Sequence, residues 1–220
     1  MIWFSFLFAY WARKQFLTFS YRMNRQAYTD FQYLVEMSLD FKQWCSKSTL
    51  QLKGEQYAYI FFIFMPLIYF LFYRHEPVII LIGFVLVYLS IIDYFYYLTD
   101  IRYVGLIFIL SLFQLLNQES PLLYEYIHCL FISSVFLIFF TYTAQTIFNK
   151  EVLGWGDVLL LLALSPLFIL EEMLIFILLS CVLGIIFTLC YWIYYRRKLA
   201  KLPFIPFISL AFLSIEFLSL

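Results

Sequence analysis

Long apolar runs separated by short polar connections fill most of this 220-residue sequence. A helix needs about 20 apolar residues to cross the hydrocarbon core of a bilayer, and each run reaches or approaches that length. Because the connections are short, consecutive helices must be antiparallel neighbours. The pattern predicts an all-α fold, a polytopic membrane helix bundle with about seven or eight transmembrane segments. Seven runs carry this prediction, at residues 57–73, 78–98, 103–117, 121–144, 157–170, 173–195 and 203–220.

The first quarter of the chain is less regular. Residues 1–12 are apolar but short for a full span, and Arg13 and Lys14 interrupt them. Residues 20–56 form the extended polar region of the chain. The sequence therefore predicts two parts. Residues 1–56 are a weak first membrane segment plus a cytoplasmic loop, and residues 57–220 are a membrane-embedded domain that carries the chemistry.

Composition excludes a soluble domain, because 65% of the residues are hydrophobic and only 13% are charged. Soluble domains are about half apolar and about a quarter charged. Basic residues concentrate in cytoplasmic loops, and this rule orients the bundle. With the amino terminus outside, the inward loops are 13–56, 99–102, 145–156 and 196–202, and they hold every Lys and Arg except Arg74.

Two aspartates, Asp93 and Asp157, lie at the ends of apolar runs. A carboxylate at the centre of a membrane helix costs roughly 2.5–3.5 kcal/mol on insertion scales, so such residues usually have a function. In the orientation above, both acids lie at the cytoplasmic face. Two close aspartates can hydrolyse a peptide bond without a metal, because the ionised one activates water and the protonated one polarises the carbonyl. Helix dipoles favour Asp157, at a helix start, as the base and Asp93, near a helix end, as the acid.

Three motifs in order resemble those of one family. Gly154-Trp155-Gly156-Asp157 matches the G-x-G-D motif of aspartic membrane proteases. The stretch 91–100 resembles the segment of type IV prepilin peptidases that reads Ile-Asp, five or six residues, then Pro-Asp. Residues 202–208 resemble the Pro-Phe-x-Pro-Phe element near the end of type IV prepilin leader peptidases. The chain thus resembles that family, in its short, competence-type form. The resemblance implies that Asp93 and Asp157 are catalytic and that Gly154 and Gly156 form the supporting turn.

Asp100 is a further candidate, for a supporting role. Its alternatives are pairing with Arg102 and simple exposure to water.

The resemblance also implies partners and a location. The expected partners are prepilin-like precursors, cleaved at the cytoplasmic face of the bacterial plasma membrane, and the lipid bilayer; no nucleic acid is expected. No cofactor is required for proteolysis, and S-adenosylmethionine enters only if the methyltransferase activity of many family members is retained. Larger members carry two C-x-x-C pairs in the first cytoplasmic loop, where this chain has only Cys45. We therefore predict no metal site.

Other functions stay open at this point. A presenilin-like protease is disfavoured, because Ile92 stands where those proteins have Tyr and no Pro-Ala-Leu element occurs near the end. A transporter or channel could use the paired acids to bind cations. An inactive paralogue would also fit two departures from the family pattern, the missing cysteines and Leu159 in place of Lys.

Overall fold

The computed structural model describes residues 2–34, 40–51, 55–73, 75–117, 120–148, 153–197 and 201–218. Over these ranges the chain forms α-helices and short 3₁₀ turns, with no strand. This confirms the predicted all-α helix bundle. The α-helices are α1 (Ile2–Leu34), α2 (Phe41–Lys47), α3 (Phe61–Leu71), α4 (Pro77–Tyr96), α5 (Ile101–Leu116), α6 (Ser120–Phe148), α7 (Trp155–Leu164), α8 (Leu170–Tyr195) and α9 (Ile205–Leu218).

Three of these helices are long and apolar enough to cross a membrane, namely α4, α6 and α8. Further apolar helical segments are shorter, at 10–17 residues, which is less than the length that a perpendicular span requires. They are Glu55–Leu71, Ile101–Leu116, Trp155–Leu167 and Ile205–Leu218. The protein is therefore a multi-pass membrane helix bundle in which full-length spans alternate with shorter helices.

The chain divides into two compact units, Met1–Leu71 and Phe72–Leu220. In the first unit, α1 continues through Arg13 and Lys14, where we expected an interruption. The guanidinium group of Arg13 lies 4.5 Å from the ring centre of Tyr59 and donates a 3.2 Å hydrogen bond to its hydroxyl group. Arginine and lysine are good helix formers, so a charge that finds such a partner does not end the helix.

The second unit is organised around α4, which packs against α5 and α9. On one side of α4, α5 packs against α7; on the other, α9 packs against α8, and α6 contacts both α7 and α8. Aromatic side chains fill these contacts. Tyr88 of α4 meets Tyr103 of α5 edge to face at 4.8 Å between ring centres, and Phe168 stacks on Phe176 at 5.0 Å. Besides its contact with α8, α9 touches both α4 and α7.

The apolar run 157–170 is not one helix. It contains α7, which ends at Leu164, and a 3₁₀ turn at Ser165–Leu167, before α8 begins at Leu170. Pro166 explains the break, because proline has no N–H group to continue the helical hydrogen bonds. At about 1.5 Å per residue, α7 is only about 15 Å long. Its first turn carries Asp157.

Candidate active site

Asp93 lies in the last turn of α4, and its side chain is only 6% exposed. The helix ends three residues later, at Tyr96. The N–H group of Tyr97, in the left-handed conformation with φ 53°, donates a 2.8 Å hydrogen bond to the carbonyl of Asp93. The Asp93 side chain has a more distant partner: its Oδ2 accepts a 3.1 Å hydrogen bond from the backbone N–H of Ile205, at the start of α9. The buried carboxyl group is therefore held by a different helix from its own.

The sequence at the start of α9 explains why this N–H group is available. The first N–H groups of a helix have no partner within the helix. The N–H of Phe207 bonds to the carbonyl of Phe204 at 3.0 Å, while Pro206 has no N–H group at all. The amides of Phe204 and Ile205 are thus left over, and both donate to the Asp93 carboxyl group. Such a helix start binds anions well.

Asp157 is the third residue of α7, as its predicted place at a helix start requires. Its N–H donates to the carbonyl of Gly154 at 3.0 Å, and its carboxylate in turn accepts the N–H of Gly154. Gly154 has φ −66° and ψ 139°, a conformation open to any residue. Glycine leaves room for the Asp157 side chain, because a Cβ at this position would lie 3.0 Å from Oδ2 and would require the carboxylate to shift slightly.

Gly156 makes room for the loop that follows α4. A Cβ on Gly156 would lie 2.6 Å from Cβ of Thr99, closer than real Cβ contacts come. The absence of a side chain therefore lets the segment after Asp93 lie directly against the start of α7. The carboxylates of Asp93 and Asp157, 64 residues apart in sequence, come close enough for their charges to interact. Asp93 is buried, whereas Asp157 is half-buried.

Asp100 caps α5. Its side chain accepts a 3.3 Å hydrogen bond from the backbone N–H of Arg102, and it is only 3% exposed. The alternative in which Asp100 only faces water is therefore wrong. A carboxylate at this position satisfies one of the unpaired N–H groups at the start of the helix. The cap is thus a structural role of Asp100, and its supporting role at the acid pair stays a prediction.

The contact between Asp93 and Ile205 changes the argument from helix dipoles. Asp157 lies within the first turn of α7, and Asp93 faces the first turn of α9. Each carboxyl group therefore has the N–H donors of a helix start beside it. Helix dipoles favour the ionised form of both groups, so they do not identify which one is the base and which one is the acid. Sequence reasoning missed the contribution of Ile205. The available signal was Pro203 and Pro206, which flank a helix start with few N–H groups of its own.

Within the described ranges, no group of three or more His, Cys, Asp or Glu side chains is placed to hold a metal ion. Cys45 is a free, half-buried thiol.

These features define a helical membrane protein with a pair of carboxyl groups at the ends of two apolar helices, Asp93 at the end of α4 and Asp157 at the start of α7. Carboxyl groups in such a bundle are candidate functional residues. The model of the type IV leader peptidase family matches residues 79–189, about half of the chain, and this segment contains both Asp93 and Asp157. The chain belongs to the type IV leader peptidase family.

One curated relative is the prepilin leader peptidase/N-methyltransferase of Haemophilus influenzae, which is 38% identical over 87 residues. The alignment covers 39% of this chain and 36% of the relative. The aligned part is thus little more than a third of that protein. No solved structure matches the chain.

Proposed function

We propose that the protein is a membrane aspartic endopeptidase that removes the leader peptide from type IV prepilin-like precursors, with Asp93 and Asp157 as its catalytic pair. Competence pseudopilins are the expected substrates. The observation that carries the proposal is the approach of these two carboxyl groups, which come from distant parts of the sequence to the ends of two helices. Family membership supports the same reaction.

Hydrolysis requires the pair to hold one proton between its two carboxyl groups. The ionised group removes a proton from water as the oxygen attacks the scissile carbonyl, and the protonated group polarises that carbonyl. The proton then passes to the leaving nitrogen as the C–N bond breaks. Close carboxyl groups titrate as a unit, so the mechanism assigns the proton to the pair and not to one residue. Water and substrate reach the pair from the side of Asp157, the more exposed member.

A cytoplasmic site is favoured by the basic residues near the same helix ends. Arg102 follows the start of α5, Arg196 and Arg197 follow α8, and Lys201 precedes α9. The start of α9 contacts the end of α4 at Asp93. Because basic residues collect on the cytoplasmic side of membrane helices, the acid pair faces the compartment that holds the basic leader of a prepilin.

Methylation by S-adenosylmethionine is not part of the proposed reaction, although the relative's name includes it. A methyl donor has to lie beside the new amino terminus at the acid pair. The structure does contain a cavity of about 200 Å³, lined among others by Ile79, Gln114 and Glu216. Ile79 is 14 residues from Asp93 on α4, or about 21 Å along the helix. This cavity does not fit a methyl donor acting at Asp93.

The test is co-expression of the full chain with prepilin-like precursors, with leader removal read by intact mass. Asp93→Asn and Asp157→Asn should each abolish cleavage at normal membrane levels, because asparagine cannot exchange the proton. Asp30→Asn, at an exposed position, is the matched control and should cleave normally. A product heavier by one methyl group would show that the protein also methylates the new amino terminus.

Cleavage that survives either substitution would overturn the two-aspartate mechanism. In that case the chain should be tested for cation flux, which a transporter with paired acids would carry and which the same two substitutions would change.

A further inference from the structure

A second hydrogen bond joins α4 to α9 beside the one at Asp93. The hydroxyl oxygens of Ser90 and Ser209 lie 2.7 Å apart. Ser90 precedes Asp93 by three residues, and Ser209 follows Ile205 by four. Residues three or four apart share one face of a helix, so the two serines lie about one turn further along the same contact between α4 and α9.

The distance between the two hydroxyl oxygens is that of a hydrogen bond between helices, and either hydroxyl group can be its donor. A serine hydroxyl has one hydrogen to donate. The Ser90 hydroxyl lies 2.7 Å from the carbonyl of Leu86, in its own helix, and donates there. In that arrangement the Ser209 hydroxyl, only 4% exposed, is the group that can donate across the contact to Ser90. It also has alternative acceptors in the carbonyls of Ile205 at 2.9 Å and Leu86 at 3.4 Å.

Two hydrogen bonds one turn apart restrict the movement of α9 on α4 more than a single bond does. A single bond between Asp93 and Ile205 would let α9 pivot about that point. Apolar packing alone fixes the register of membrane helices weakly, because lipid tails are as apolar as the side chains they replace. A second bond, between Ser90 and Ser209, would oppose both rotation and sliding of α9 on α4, the movements that would take the Ile205 amide away from Oδ2 of Asp93.

We propose that Ser209, acting through Ser90, is a positioning residue for the carboxyl group of Asp93. It holds α9 in the register that places the Ile205 amide on Asp93, and so it orients one half of the acid pair for reaction. The catalytic consequence rests on the proposed function. The positioning itself can be measured without any substrate.

The substrate-free measurement is hydrogen exchange of the Ile205 amide, followed by NMR on isoleucine-labelled protein in nanodiscs. Ile205→Val identifies the signal. Because this N–H group donates to the Asp93 carboxyl group and not to its own helix, its protection reports that contact directly. Ser209→Ala and Ser90→Ala should each accelerate its exchange by about tenfold.

The second measurement is steady-state cleavage of a precursor by the same variants. A small misplacement of a reacting group lowers turnover more than binding, so Ser209→Ala should lower kcat by about tenfold with KM within about twofold of the native value. The double variant should lose no more than either single one, because both remove the same bond. Ser90→Thr, which keeps a hydroxyl group at a half-buried position, should cleave normally.

Ser180→Ala is the matched control. Ser180 is fully buried in α8 and donates a 2.8 Å hydrogen bond to the carbonyl of Phe176 in its own helix. It should leave Ile205 exchange and kcat at native values. Ile205 exchange that is equally slow in Ser209→Ala and Ser180→Ala overturns the positioning proposal, whatever happens to turnover. If exchange accelerates as expected but the native chain cleaves no precursor, the positioning proposal stands and the proposed function falls.

Discussion

Gly156 and Thr99 touch so closely that the two segments carrying the acid pair have no room between them. A methyl group on Gly156 would lie 2.6 Å from Cβ of Thr99, which belongs to the loop after α4. The obstructing atom is next to the backbone and is not the flexible end of a long side chain. A larger residue at position 156 must therefore push the loop, and with it the end of α4, away from Asp157.

We expect Gly156→Ala to reduce leader cleavage by about 100-fold, because displacing a reacting group by about 1 Å has an effect of this size. Gly105→Ala is the control, since a Cβ at that position meets nothing within 4 Å. It should cleave within about twofold of the native chain and be slightly more stable, because alanine favours a helix by about 1 kcal/mol over glycine. Equal activity of the two variants would show that the close contact has no role in the site.

Gly154→Ala should have a milder effect. The added Cβ would lie 3.0 Å from Oδ2 of Asp157, so the carboxylate must shift by a few tenths of an ångström. The backbone is not strained, because Gly154 has a conformation open to alanine. We expect about tenfold lower kcat with unchanged membrane levels, measured by quantitative mass spectrometry of cleaved precursor. A loss as large as that of Gly156→Ala would contradict this ranking of the two glycines.

Substitution of Asp100 should change the stability of the protein and not the rate of cleavage. Asparagine caps a helix about as well as aspartate, so Asp100→Asn should be nearly silent. Asp100→Ala removes the acceptor for the Arg102 N–H and should lower the unfolding free energy by about 1 kcal/mol. Thermal unfolding in detergent, together with cleavage at low temperature, separates the two effects. If Asp100→Asn abolished cleavage in a folded protein, Asp100 would belong to the acid machinery.

Gln114 is expected to act far from the acid pair. Its Nε2 donates a 2.6 Å hydrogen bond to Glu76, just before α4, and the side chain is only 7% exposed. Gln114→Leu should lower the unfolding free energy by about 0.5–1.5 kcal/mol, because it removes this hydrogen bond while water can still solvate the exposed Glu76 side chain. Cleavage should not change, since Glu76 lies about 25 Å along α4 from Asp93. Gln114→Glu, which sets two carboxylates against each other, should be less stable still; a more stable variant would refute the contact.

The positions of several helices could be predicted from the lengths of the apolar runs and the positions of the prolines. The run 78–98 became α4, which begins at Pro77, and the run 173–195 became α8 with a start three residues earlier. Proline suits the first turn of a helix because its missing N–H would be unpaired there anyway. The same residue type ended a helix inside the run 157–170, at Pro166, where length alone had suggested one continuous segment.

Helix neighbours could not be predicted in the same way. Faces that contact lipid and faces that contact another helix are both apolar, so the sequence around α9 does not tell which helix its start will meet. The motif Gly154-Trp155-Gly156-Asp157 placed Asp157 in the first turn of α7, because that depends on local sequence. The bond from Ile205 to Asp93 depends on the packing of α9 against α4, and it needed the three-dimensional structure.

The bond between Ile205 and Asp93 can form only late in the synthesis of the protein. Its two residues are 112 positions apart, and a ribosome adds about 5–20 residues per second. For roughly 6–20 s of translation, Asp93 is therefore in the nascent chain before the amide that will hold it has been made. A polypeptide that has not yet received α9 carries both aspartates but lacks the support for one of them. The hydrogen-bond donor for Asp93 is therefore supplied only when α9, more than 100 residues further along the chain, has been made.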